Sequence, residues 1–231
     1  MSQTLDLAKP HRTIHVGVIL VDAEVEVLDV APVDTLHSLS AHFVNNFPPE
    51  LVSDDLKSQS LPLEFHWVSS SGPKENRHLT GGITIVPTDS YETCPPLDIV
   101  LIGAHMVTYE PTAADLAFIR KAYEDCSAFI TICGGIQIPL QAGLYEGKTA
   151  TAPRFMLPMV RQTAPGTNWV EKRWARDGKL WTSGALLNGM DLMYAFTHHY
   201  WGGENSLVDR CSKGGAWPVR DVDYKDVSWA W

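Results

Sequence analysis

The sequence has no block of lysine or arginine, no Cys-x-x-Cys pair, no Cys/His cluster at zinc-finger spacing and no apolar run of bilayer-spanning length. Each absence removes a class of function. With Lys+Arg at 18 against Asp+Glu at 27, the net charge is −9, so no nucleic-acid partner is expected. Without a long apolar run, no membrane association is expected either. Residues 1–13, MSQTLDLAKPHRT, lack the apolar centre of a signal peptide and read as an N-terminal extension. The four cysteines, Cys94, Cys126, Cys133 and Cys211, do not make a disulfide framework in a chain of 231 residues. A reducing, cytoplasmic compartment is the expectation.

What is present is globular: 45% hydrophobic and 19% charged residues, enough for one domain with a sizeable core. Residues 14–21 (IHVGVILV), 98–102 (DIVLI) and 128–132 (AFITI) are apolar runs of strand length, the pattern of strands buried on both faces. Residues 63–69 alternate and read as a further strand, 81–86 as another at an edge, and 149–152 as a short one. Asp177-Gly178 marks a hairpin within 170–183. Helical patterns cover 32–43, 112–126 with Thr112 as N-cap, the run following Cys133 up to Gly143, and 185–200. Residues 45–62 read as a long loop and 202–231 as a tail packed on the domain. Strands alternating with helices predict an α/β fold: a doubly wound, mainly parallel sheet with helices on both faces. Seven of the eight tryptophans lie between Trp169 and Trp231, an imbalance that composition does not explain.

The most informative stretch is AFITI-Cys133-Gly134-Gly135-IQIPLQAGL. A cysteine between a buried strand and a helix, followed at once by small residues, has the grammar of a nucleophile elbow. The helix start behind the sulfur is expected to favour thiolate and lower the thiol pKa. The N–H of Gly134 is a candidate oxyanion donor. A free cysteine is otherwise a small core hydrophobe, the reading given to Cys94, Cys126 and Cys211.

The run ICGGIQIPLQAGLYEGKTATAP around this turn resembles the ThiJ/PfpI (DJ-one/PfpI) superfamily, within the class I glutamine amidotransferase-like group. Leu28-Asp29-Val30-Ala31-Pro32, DIVLIGA and KLWTSGALLNGMDLM are similar to three further segments of that family, so the resemblance spans about residues 14–201. The closing WPVRDVDYKDVSW resembles a fungal branch. The resemblance implies a flavodoxin-like fold, a homodimer and a small-molecule substrate. Gly134 follows Cys133, and Pro153 stands in TATAPRF, so neither place holds the histidine that protease-like members carry. That puts a Cys-His-acid hydrolase in doubt and leaves a cysteine with one carboxylate, as in the isocyanide hydratase branch.

By this resemblance Asp29 faces Cys133, with Glu24 and Glu26 as fallbacks because the family's Gly-Pro is contracted to Pro32. The alternative is that Asp29 caps the following helix. If it does approach the sulfur, a protonated Asp29 against a thiolate reconciles burial with the elbow. The loop Gly103-Ala104-His105 is expected to supply a second oxyanion donor, with His105 a candidate to enter the pocket. Trp181 is placed near the site by its motif, whereas Trp169, Trp174, Trp201, Met190 and Met193 read as packing. His198 and His199 diverge by about 100° on a helix, so no metal is expected, and no cofactor. The expected activity is isonitrile hydration to an N-substituted formamide. The alternatives are glyoxalase-like conversion of 2-oxoaldehydes, a secondary-metabolism lyase or cyclase, and a non-catalytic redox sensor or binder.

Overall fold

The computed structural model describes residues 4–228. In chain order the strands are β1 (Ile14–Ile19), β2 (Leu63–Ser69), β3 (Arg77–Leu79), β4 (Ile83–Ile85), β5 (Asp89–Ser90), β6 (Ile99–Ile102), β7 (Ala128–Ile132), β8 (Thr149–Ala150), β9 (Asn168–Trp169), β10 (Trp174–Asp177) and β11 (Leu180–Ser183). The helices are α1 (Val27–Val30), α2 (Asp34–His37), α3 (Ala41–Val44), α4 (Asp54–Lys57), α5 (Ala113–Asp125), α6 (Gln137–Gln141), α7 (Leu157–Thr163), α8 (Asn188–Trp201) and α9 (Leu207–Gly214).

Seven strands form the central sheet in the order β10-β11-β7-β6-β1-β2-β5. All pairings are parallel except the β10–β11 hairpin at one edge. Every residue of β6 and β7 is buried, which is why these strands read as unbroken apolar runs: both faces of the sheet are covered. This is the flavodoxin-like α/β architecture. Its strand order reverses between β1 and β6, the topological switch point at whose carboxyl ends such sheets build their sites.

Several segments depart from the pattern reading. The helix expected over 32–43 is broken into a short turn at Ala31–Val33, α2 and α3. Ser40 causes the break: its side chain accepts the Phe43 N–H and starts α3 afresh, while the Leu39 carbonyl accepts the Leu61 N–H. The strand expected over 81–86 contracts to β4, which pairs only with β3 in a separate hairpin. Gly81 and Gly82, both at positive φ, make its turn. The expected loop 45–62 contains α4.

Outside 14–201, Leu5 and Leu7 are buried in the main core. α9 packs Leu207, Val208 and Cys211 into a second apolar cluster with Leu39, Val44 and Leu61. Of the tail tryptophans, Trp217 is half-buried, while Trp229 and Trp231 lie outside the described residues. No helix among the described residues is long and apolar enough to cross a membrane.

Candidate active site

Three strand ends converge at the switch point. β7 ends at Ile132, and Cys133 follows with φ +57°, a left-handed conformation that costs a non-glycine residue roughly 1–2 kcal/mol. The turn Cys133–Ile136 then leads into α6. Two contacts show why small residues must follow the cysteine. A Cβ on Gly135 would lie 2.3 Å from the Ile102 carbonyl oxygen, and one on Gly134 would lie 3.2 Å from the Ala104 Cβ. The Cys133 N–H donates to the Gly184 carbonyl at 3.1 Å, which ties the elbow to the segment after β11.

Asp29 comes from α1, after β1, and is fully buried. Glu26, not Asp29, stands at the N-cap of α1, so the capping alternative for Asp29 does not describe the structure. One carboxylate oxygen, Oδ2, accepts the Ala104 N–H at 3.0 Å. The other, Oδ1, is buried with no well-aligned hydrogen bond among the described residues. The Cys133 thiol and the Leu186 N–H both lie close enough to act on this carboxyl. Gly103 permits the approach, since a Cβ there would sit 2.8 Å from the Asp29 Cβ. Of the fallback carboxylates, Glu24 is exposed, and Glu26 accepts the Thr80 hydroxyl at 2.8 Å.

Burial pushes the Asp29 carboxyl up to about 7, against the hydrogen bond from Ala104 that favours its charged form; the neighbouring Glu26 charge adds to the rise. Burial, and next the Asp29 charge, push the Cys133 thiol up to about 12. The N–H groups of Leu186 and Gly134 favour thiolate but do not overcome these two effects. This reverses the expected lowering of the thiol pKa. The elbow opens only a four-residue turn and a five-residue helix, too short a dipole to outweigh burial beside a carboxyl group. Cys94 and Cys126 are raised to about 12 as well, so what sets Cys133 apart is its backbone and its partner, not its acidity.

Three expected site residues fall elsewhere or do something else. The Ala104 N–H is occupied by Asp29 and so is not a free oxyanion donor; Ala104 orients the acid instead. His105 is buried in its own loop, with Nδ1 3.1 Å from the Met106 carbonyl oxygen and the ring edge-on to Tyr109. Burial lowers its pKa, and neither Cys133 nor Asp29 is among its hydrogen-bond or ring partners. Trp181 is a core residue under α8, stacked on Trp174 and edge-on to Phe196, with the Arg176 guanidinium over its ring. The motif is continuous in sequence, but β11 points this side chain into the core well below the strand ends.

Leu186 was not foreseen. It sits at φ +45° in the loop before α8 and turns its N–H toward both Cys133 and Asp29. Nothing in a leucine announces a left-handed backbone; the WTSGA segment was the only available pointer. The tail holds this loop in place. The Tyr224 hydroxyl accepts from Asn188 Nδ2 at 2.8 Å, and the Arg154 and Arg173 guanidinium groups stack on the Tyr224 ring. Arg173, buried, also pairs with Asp226 at 2.6 Å. An apolar cavity of about 640 Å³, lined by Leu28, Phe43, Phe47, Leu187, Met190 and Trp217 among others, lies alongside, but neither Cys133 nor Asp29 lines it.

The DJ-1/PfpI family matches residues 20–199. An isonitrile hydratase from Pseudomonas putida is 32% identical over 115 residues, 48% of each chain, so the match spans about half the length of that relative. Among solved structures, Drosophila melanogaster DJ-1beta superposes with a TM-score of 0.68 at 16% identity, covering 89% of this chain and 99% of its own. A THiJ/PfpI family protein from Pseudomonas syringae gives 0.63 at 16% identity, over 88% of this chain and 75% of its own. At such identities these two likenesses concern the fold.

Proposed function

The chain belongs to the DJ-1/PfpI family, and from that premise we propose that it is a cofactor-independent, cysteine-dependent enzyme that adds water to an isonitrile. The observation that carries the reading is the buried Asp29 carboxyl, raised to about 7, against a Cys133 held at positive φ. The isonitrile hydratase relative supports the choice of substrate.

In this reading the active pair, which forms as pH rises through about 7, is a thiol beside a carboxylate poised to take its proton. Asp29 accepts the S–H proton as the sulfur attacks the terminal carbon of R–N≡C. It then delivers that proton to the same carbon, giving the thioimidate R–N=CH–S–Cys133. Asp29, ionised again, takes a proton from water as the hydroxyl adds to that carbon, and passes that proton to the nitrogen. As the C–S bond breaks, the proton of the added hydroxyl passes to the departing sulfur, and R–NH–CHO leaves with the thiol restored. The net change is addition of one water. The Gly134 and Leu186 N–H groups, and Gly103 at the end of β6, line the region where negative charge develops.

A homodimer with a small-molecule substrate, in a reducing cytoplasmic compartment, accompanies this proposal, since the sulfur must remain a free thiol. The test is incubation of purified protein with a simple alkyl isonitrile, with formamide followed by mass spectrometry. Methylglyoxal, with lactate as product, runs in parallel. Formamide formation that depends on Cys133 supports the reading; lactate without formamide moves the chain to glyoxalase-like chemistry.

A further inference from the structure

At the opposite end of the sheet from Cys133, β1 and β2 bring together a second set of titratable side chains. The parallel register sets His15 beside Glu64 and Gly17 beside His66. Side chains of residues two apart share a face, so His15, Glu64 and His66 project from the same one. His15 Nδ1 lies 3.0 Å from His66 Nε2 and 3.7 Å from Glu64 Oε2. One donor atom from each of the three residues lies within 4.8 Å of the others. The other ring nitrogen of His66 is 2.9 Å from the carboxylate of Asp89 on β5, which also accepts the Thr88 hydroxyl at 2.7 Å.

From this juxtaposition we infer that His15, Glu64 and His66 form a site for a divalent transition-metal ion of the zinc type. Zinc binds imidazole nitrogen and carboxylate oxygen at about 2.0–2.2 Å, which puts tetrahedral ligands about 3.3 Å apart. The separations of 3.0 and 3.7 Å bracket that value. A hydrogen bond between two imidazoles explains the shorter distance alone. It does not explain a carboxylate converging on the same point, or a second carboxylate fixing the far side of His66.

Asp89 fixes the tautomer. With Nδ1–H of His66 donating to Asp89, the Nε2 lone pair faces His15 and Glu64. This is the carboxylate–histidine–metal arrangement that orients a ligand imidazole and raises its basicity. His15 binds through Nδ1 once its proton resides on Nε2. Glu64 and Asp89 together balance the two charges of the ion. Glu64 is 60% exposed, so the fourth position opens to water. Two imidazoles select zinc, cobalt, nickel or copper over magnesium and calcium. The bound ion clips β1 to β2, with β5 held through Asp89, and acts on the stability of this sheet edge.

The test uses the full chain, stripped with a chelator, titrated with Zn²⁺ by calorimetry and with Co²⁺ by visible absorption. One equivalent of zinc, cobalt bands of four-coordinate intensity and a zinc-dependent rise in Tm are expected. His66→Gln and Glu64→Ala should each weaken binding at least tenfold, and Asp89→Asn by about 10–100-fold. Cys133→Ala should bind as the parent does. Absence of zinc binding, binding unchanged in Glu64→Ala, or binding lost in Cys133→Ala overturns the inference. Glu64 is exposed, so that variant remains informative should His66→Gln fail to fold.

Discussion

Asp29 accepts the backbone N–H of Ala104 at 3.0 Å, a bond between residues 75 positions apart in the chain. It joins the segment after β1 to the segment after β6 across the switch point. It leaves one carboxylate oxygen committed to holding the side chain in place and the other buried without a hydrogen-bond partner of its own among the described residues.

Replacing Cys133 separates chemistry from fold. Cys133→Ala should abolish isonitrile turnover while the thermal transition stays within a few degrees of the parent. Cys133→Gly should be equally inactive yet more stable by about 1 kcal/mol, because glycine relieves the strain at φ +57°. Thermal melts and a formamide assay read both, and substantial activity in either variant removes Cys133 from the mechanism.

Asp29→Asn should lower kcat by about 10²–10⁴-fold, the range for a lost proton-transfer group, with a smaller change in KM. In the parent, kcat/KM should rise with pH through about 7 as the carboxylate forms. That inflection should be absent from the residual activity of the variant. A pH profile identical in the two proteins would assign the inflection elsewhere.

The same substitution carries a stability prediction of opposite sense. The folded carboxyl titrates at about 7 against an ordinary value of 3.8, so the folded state holds this proton more tightly than the unfolded chain. Its stabilising contribution is complete below about pH 4 and is lost as pH rises through about 7. Asparagine does not ionise. Asp29→Asn should therefore gain on the parent as pH increases, by up to about 4 kcal/mol near pH 8, with no such gain at pH 4. Urea titrations at the two pH values measure it.

Gly135→Ala should cost more than about 2 kcal/mol, because its Cβ meets backbone rather than a movable side chain. Gly103→Ala presses instead on the Asp29 Cβ and should reduce activity more than it reduces Tm. Comparing Tm with kcat for the pair distinguishes a packing position from one that places the acid.

Arg173→Ala should destabilise by about 2 kcal/mol, through loss of the Asp226 pair, the bond to the Asp221 carbonyl and the stacking on Tyr224. Because the tail supports the loop that carries Leu186, activity should fall with it. Limited proteolysis should then cut within the segment after Trp217 sooner than in the parent.

The parts legible in the sequence are those where a local pattern has only one packing solution. Unbroken apolar runs such as AFITI become strands covered on both faces, and two glycines after Cys133 allow only a tight turn. The hairpin at Asp177-Gly178 follows the same logic. What was not legible depends on partners far away in the chain. Ser40 breaks a helix because Leu61 offers Leu39 another hydrogen bond. Trp181 leaves the site because its strand register points it toward Phe196, and the Ala104 N–H is consumed by Asp29. The direction of the Cys133 shift is set by burial and the Asp29 charge outweighing a short dipole, and both arise only when segments distant in the chain meet.

The two borders of the central sheet have a consequence for solubility. β5 contributes only two residues, too few to template another strand, and β10 is half of a tight hairpin whose final Asp177 accepts the Thr149 N–H. A strand from a second molecule thus finds no long row of free N–H and C=O groups to copy. Two such short edges disfavour edge-to-edge stacking into fibrils, so the protein can carry the five fully buried residues of β7 without presenting them as an aggregation seed.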